Sequence, residues 1–185
     1  MAPRFSRESL LEVLQRYRPT ANERLPVLER LISFVENDPT CAERSNGYGH
    51  LTGSAWIVNE SRTKALLLHH RKLNRWMQTG GHADGEFDLL SVALREAREE
   101  SGLTRIEPVS PEVFDVDIHE IPQFKDIRAH FHFDVRFLLQ GDEEEPIVHN
   151  EESNGVVWIL LNEITGYTEE ESVLRMARMC TVIRD

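Results

Sequence analysis

Cysteine is scarce. Cys41 and Cys180 are the only two in 185 residues, too few for a disulfide framework. No apolar run approaches the roughly 20 residues that span a bilayer. The opening MAPRFSRESLLEV lacks the apolar core of a signal peptide, so a cytoplasmic protein is expected. Basic residues are in deficit: 21 Lys and Arg stand against 32 Asp and Glu, a net charge of −11. Nucleic acid and anionic membranes are disfavoured as partners, since both are polyanions that select a basic surface. A small phosphate substrate stays open, because a bound cation reverses the local field. Internal repeats and long low-complexity tracts are absent too. What remains, 40% hydrophobic and 29% charged residues, is ordinary for a globular chain able to form one core with an extension.

The coarse organisation can be read from hydrophobic period and punctuation. Residues 6 to 38 predict a helical hairpin. Leu10, Leu11, Leu14 and Tyr17 form one stripe ended by Pro19, and Leu28, Leu31, Ile32 and Val35 form the second. Thr20 and Glu23 have capping-box spacing, while Pro26 argues for a late start or a kink. Residues 39 to 49 are rich in turn formers. From His50 the period changes: HLTGSAWIV and KALLLHH read as strands joined at Asn59–Arg62, followed by the basic run Arg71–Arg75. PEVFDVDI, RAHFHFDVRFLL and VVWILL are further strands, and Thr168 with Glu171 predicts the start of a C-terminal helix. Strands on both sides of a central helix suggest a mixed sheet covered on its faces, an α/β fold.

That central helix lies in residues 80–103, GGHADGEFDLLSVALREAREESGL, around which the chain is organised. Asp88 can cap it, Gly102 can end it, and Leu89, Val92, Ala93 and Ala97 make an apolar stripe. Glu96, Glu99 and Glu100 are related by steps of three and four, so their carboxylates share a helical face. Like charges so placed repel by about 0.2–0.5 kcal/mol per pair on an exposed helix. A hard divalent cation such as Mg²⁺ would turn the repulsion into binding, because it takes oxygen ligands.

The stretch resembles the Nudix box: glycine, five residues, glutamate, seven residues, then R-E-U-x-E-E-x-G-U, where U is aliphatic. Arg95 to Leu103, REAREESGL, fits the second half at every fixed position if alanine serves as the small apolar U, and Gly81 stands at the required distance from Arg95. One position departs. The first glutamate of the pattern falls on Phe87, and the available acid, Glu86, sits one residue early.

The resemblance implies an α/β/α sandwich with a mixed sheet over residues 45–185, preceded by a helical extension at 1–44. It also implies hydrolysis of a nucleoside diphosphate linked to another group X, with Mg²⁺ or Mn²⁺. Glu99 and Glu100 become the principal metal ligands, Glu96 a third ligand or water-orienting acid, and the Gly80 carbonyl a backbone ligand. Arg95 is expected to orient a box glutamate. A glutamate from a later loop, shortly before a strand tryptophan, corresponds to Glu152, six residues before Trp158, with Glu151 as the close second. Many relatives are homodimers, so a homodimer is the favoured assembly, and the hairpin is expected to pack on the domain or join two subunits.

Rival readings are weaker. An isopentenyl-diphosphate isomerase would carry a cysteine near the site, and none lies between Cys41 and Cys180. A non-catalytic binding or regulatory module would be expected to lose box carboxylates, which this chain keeps. His130 and His132 alternate on one strand face as zinc ligands do, with His119 nearby, but no cysteine pair or second ligand cluster accompanies them; pocket lining or core packing is favoured. His82 could reach a phosphate or serve a turn. Trp76, Phe87 and Phe124 are candidates for base stacking, and Arg71, Arg75, Lys125 and Arg128 for phosphate contact.

Overall fold

Ser6 opens the first helix of the computed structural model, which describes residues 5–126, 128–148, 150, 151 and 153–182. The Ser6 hydroxyl accepts from the Ser9 N–H while the Ser9 hydroxyl accepts from the Ser6 N–H, satisfying two otherwise unpaired donors. Helix α1, Arg7–Arg16, buries Leu10 and Leu14, and α2, Leu25–Asn37, buries Leu28, Leu31, Phe34 and Val35. The capping box expected from Thr20 and Glu23 does not form. A 3₁₀ turn at Asn22–Arg24 intervenes, and α2 starts with Pro26 in its first turn and no side-chain cap. Proline lacks the N–H that would go unpaired there and its fixed φ suits that turn, so proline sets the start.

Seven strands and two further helices follow among the described residues: β1 Gly49–Val58, β2 Lys64–His70, β3 Arg75–Met77, β4 Thr79–His82, α3 Leu89–Ser101, β5 Ile106–Ile121, β6 His130–Gly141, β7 Ser153–Leu160 and α4 Glu171–Val182. The sheet is mixed. β1 runs parallel to β6, and β5 continues antiparallel beyond it. The other edge of β1 meets β4 at Thr52–Ala55 and then β2 at Ile57 and Val58, so the sheet divides along β1. β2 pairs with β3 and β7. Strands β3 and β4 were not anticipated, because three and four residues are too short to display a period.

Alternation along β1 sorts its side chains. Leu51, Ala55 and Ile57 join α1, α2 and α3 in one core, with Phe133 and Val135 of β6. Trp56 and Val58 face the other way and join α4 through Val173, Met176 and Cys180. Helices therefore cover both faces of the sheet, in the expected α/β arrangement.

The α4 face changes character along its length. Beyond Trp56 come Ser54, Thr52 and His50, beside Arg136, Asp134 and His132 of β6. Arg136, only 1% exposed, bonds Asp134 at 2.7 Å, Asp115 at 3.0 Å and Asp117 at 3.2 Å. Arg175 of α4 reaches Asp115 at 2.7 Å, and Arg24 reaches Asp117 at 2.7 Å. Thr52 and Ser54 donate to Asp134 at 2.8 and 2.7 Å. Three guanidinium groups thus meet three carboxylates, and every one of the carboxylates is bonded. Asp117 is held below the ordinary carboxylate range: burial would raise it, but the charge of Arg136, the Arg24 hydrogen bond and Arg175 more than offset that.

Candidate active site

Two devices hold α3 in place. Asp88 accepts from the Ser91 N–H at 3.2 Å and from its hydroxyl at 2.8 Å, capping the first turn. At the other end Gly102 takes φ of 73°, the left-handed conformation that terminates helices and that side chains with a Cβ resist. Leu89, Val92, Ala93 and Ala97 are buried against the sheet, which turns Glu96 and Glu100 toward β4.

Both glutamates meet the paired glycines. Glu100 is 7% exposed and accepts from the Gly80 N–H at 2.9 Å. A methyl group built on Gly81 would overlap the Glu96 carboxylate, so helix and strand approach this closely only because residue 81 has no side chain. Arg95 bonds Glu86 at 3.0 Å and Glu96 at 3.4 Å. Burial would lower the Arg95 pKa, but its bond to Glu86 and the Glu96 and Glu86 charges raise it. Arg95 thus ties the loop acid Glu86 to the helix acid Glu96. Glu99 is exposed, one position from Glu100 along the helix.

The residues fit a hard cation in kind. Carboxylates at 96, 99 and 100 and the Gly80 carbonyl are an oxygen-only donor set, the chemistry of Mg²⁺ and Mn²⁺. Two of those carboxylates are already turned to one strand, as a shared ligand requires.

Other anticipated residues are placed as follows. Glu152 lies outside the described residues, and Glu151 is exposed in a turn. Phe87 packs half-buried on the main core. Trp76 meets Tyr167 edge-on at 5.5 Å and His69 at 5.0 Å, while Phe124 is 62% exposed. Arg75 pairs with Glu170 at 2.6 Å, Arg71 bonds Asn154 at 3.3 Å, and Lys125 lies over the Phe124 ring.

Around His130 and His132 the fold gathers further histidines that the sequence did not bring together. His50 of β1 lies beside His132 in the parallel register, and its ring is 4.8 Å from His132, 5.0 Å from His130 and 4.9 Å from His82. His119 stacks edge-on against His132 at 5.3 Å. Burial first, then the neighbouring imidazoles, pushes His50 down to about 4 and His132 to about 2, so both are neutral at pH 7. Residue spacing could not disclose this group, since its members come from four strands spread over 83 positions, His50 to His132.

The family profile described as NUDIX domain matches residues 50–179. Among curated proteins none matches the chain. Of solved structures, a NUDIX-family hydrolase from Clostridium perfringens is similar with a TM-score of 0.53 and 22% identity, covering 72% of this chain and 97% of that one. An Ap4A hydrolase from C. elegans gives 0.54 and 15%, covering 73% and 98%. The NUDIX domain of Shewanella oneidensis NrtR, complexed with ADP ribose, gives 0.53 and 15%, covering 83% and 97%. At these identities the likeness is one of fold.

Proposed function

This chain belongs to the Nudix family, and on that premise we propose that it is a metal-dependent hydrolase of a nucleoside diphosphate linked to a second group X. The observation that carries the reading is the placement of Glu96 and Glu100 against Gly81 and Gly80, with Arg95 bridging Glu86 to Glu96. Glu99, Glu100 and the Gly80 carbonyl would hold the metal, with Glu96 as a further ligand or as the acid that orients water. Glu152 would be a further ligand. A bound Mg²⁺ or Mn²⁺ would neutralise the phosphate oxygens that otherwise repel a nucleophile. Water attacks one phosphorus in line, the bridging P–O bond breaks, and the water proton passes to a carboxylate. Residues 45–185 form the hydrolase unit in this reading. From the extension at 1–44, Leu10, Leu14, Leu28 and Leu31 enter the shared core, and the extension would supply no catalytic group.

A panel of nucleotide sugars, ADP-ribose, dinucleoside polyphosphates and nucleoside triphosphates tests the reading. ADP-ribose heads the panel because it occupies the related Shewanella domain. Hydrolysis of at least one compound with Mg²⁺, abolished by EDTA, is the expected result. Turnover undiminished by EDTA would rule the reading out.

The displaced acid has its own consequence. Glu86 acts through Arg95 on Glu96, so Glu86→Gln is expected to reduce turnover by about 10–100-fold, the usual loss when an outer partner of a metal ligand is removed. A rate within about twofold of the unaltered protein at saturating Mg²⁺, well short of that loss, would make Glu86 an ordinary loop residue.

A further inference from the structure

We propose that His50, His130 and His132 form a binding site for a late first-row divalent metal ion, with Zn²⁺ the foremost occupant, on the sheet face opposite α3. The register places them there. His50 and His132 are direct neighbours on parallel strands, and His130 is two positions before His132, so its side chain emerges on the same face. Ring centroids are 4.8 Å apart for His50 and His132, 5.0 Å for His50 and His130, and 5.3 Å for His130 and His132. One ligand nitrogen from each can be chosen so that all lie within 4.8 Å of one another, and this is the one such trio of His, Cys, Asp or Glu among the described residues. A tetrahedral Zn²⁺ with Zn–N bonds of about 2.0–2.1 Å holds its nitrogens about 3.4 Å apart, so binding would draw the three rings closer together.

The hydrogen bonds favour a metal over packing alone. A core histidine ordinarily finds partners for its nitrogens, since unpaired buried polar groups cost stability. His50 is 2% exposed, yet neither of its ring nitrogens has a partner, and the buried Nε2 of His132 has none either. His130 is oriented as a ligand would be. Its Nδ1 lies 2.8 Å from the Arg128 carbonyl, which can only accept; Nδ1 is therefore the donor, and in the neutral tautomer Nε2 is the nitrogen left to bind a metal.

The flanking histidines take other parts. His82 Nδ1 lies 2.6 Å from the Arg44 guanidinium, which can only donate. His82 Nδ1 is thus an acceptor occupied by Arg44, and His82 stands outside the trio. Three imidazoles leave a fourth tetrahedral position open to water or an anion. Nitrogen donors also separate this site chemically from the oxygen set of Glu96, Glu99 and Glu100. Imidazole suits zinc, copper, nickel and iron, whereas Mg²⁺ prefers carboxylate, carbonyl and water. The proposal does not depend on the hydrolase reading.

The test uses the full-length protein stripped with EDTA and then titrated with Zn²⁺ by calorimetry, with bound metal counted by mass spectrometry and Co²⁺ as a visible probe. One zinc per chain is expected, and Co²⁺ should give the intense absorption of a tetrahedral site. Glu100→Gln should retain both signals. His130→Ala, at a half-buried position, should weaken zinc binding by about 100-fold or more, beyond the loss of a mere outer partner. As a check that needs no variant, zinc should shift the imidazole ¹⁵N resonances of His50, His130 and His132 in the unaltered protein. Absence of zinc uptake at micromolar concentration would overturn the site. So would uptake lost in Glu100→Gln but kept in a folded His130→Ala, or ¹⁵N shifts confined to other histidines.

Discussion

Replacing Glu100 with Gln is expected to lower turnover by about 100-fold or more, exceeding the 10–100-fold typical of outer partners, while leaving the fold intact. The Gly80 N–H now donates to a Glu100 carboxylate oxygen at 2.9 Å, and an amide oxygen in the same place can accept that bond. Shape and hydrogen bond survive; the negative ligand does not. Metal affinity and turnover should therefore fall together, with the melting temperature nearly unchanged. Glu99→Gln should show the same paired loss, and its exposed position makes any effect on stability smaller still. Measuring Mg²⁺ dependence of the rate for both variants distinguishes a ligand from a structural acid. An unimpaired Glu100→Gln variant would remove this residue from the proposed metal site.

Arg136→Met is expected to destabilise the protein by about 3–5 kcal/mol, the usual cost of breaking a buried ion pair from one side. For a chain of this size that corresponds to a melting temperature lower by about 6–20 °C. The substitution would leave Asp115 and Asp117 buried against Arg175 and Arg24 alone, and Asp134 with only the hydroxyls of Thr52 and Ser54. Acid should separate the two proteins as well. Asp117 is depressed in the folded state, so its contribution is present above the unfolded carboxylate pKa and is lost as pH falls through the folded value. Without Arg136 that folded value rises, and acid unfolding should begin at higher pH than in the unaltered protein. Thermal scans between pH 3 and 7 measure both effects, taking about 3.9 as the unfolded Asp reference. A variant that melts within a few degrees of the original would show that the network contributes little.

The two substitutions probe features of different legibility. Asp88, Gly102 and the apolar stripe of α3 announce their helix locally, because capping, termination and helical period are properties of a few consecutive residues. The spacing of Glu96, Glu99 and Glu100 follows from the same period, and with Gly81 and Arg95 it was enough to resemble one family. Strands β1, β2, β6 and β7 were visible as apolar or alternating runs. Where two local signals competed at the start of α2, proline prevailed over the Thr20 cap, and residue types alone did not rank them.

Tertiary structure decided what depends on strands meeting across the sheet. Arg136 reads in the chain as one charged residue in an alternating strand. Its burial follows from β5 on one side and α4 above, which bring Asp115, Asp117 and Arg175 within bonding distance. Arg95 could have turned to solvent, but the loop carries Glu86 to it and makes the displaced acid a partner of the helix. His50 gives no sign of chemistry in the segment GHLTGSAWIV. Parallel pairing with β6 sets it beside His132, 82 positions away, and no pattern within one strand records which strand will be its neighbour. Local sequence thus determined the elements and the face on which the glutamates stand, because those are short-range periodic properties. Which polar side chains became buried together was decided by strand order and register, through contacts between residues far apart in the chain.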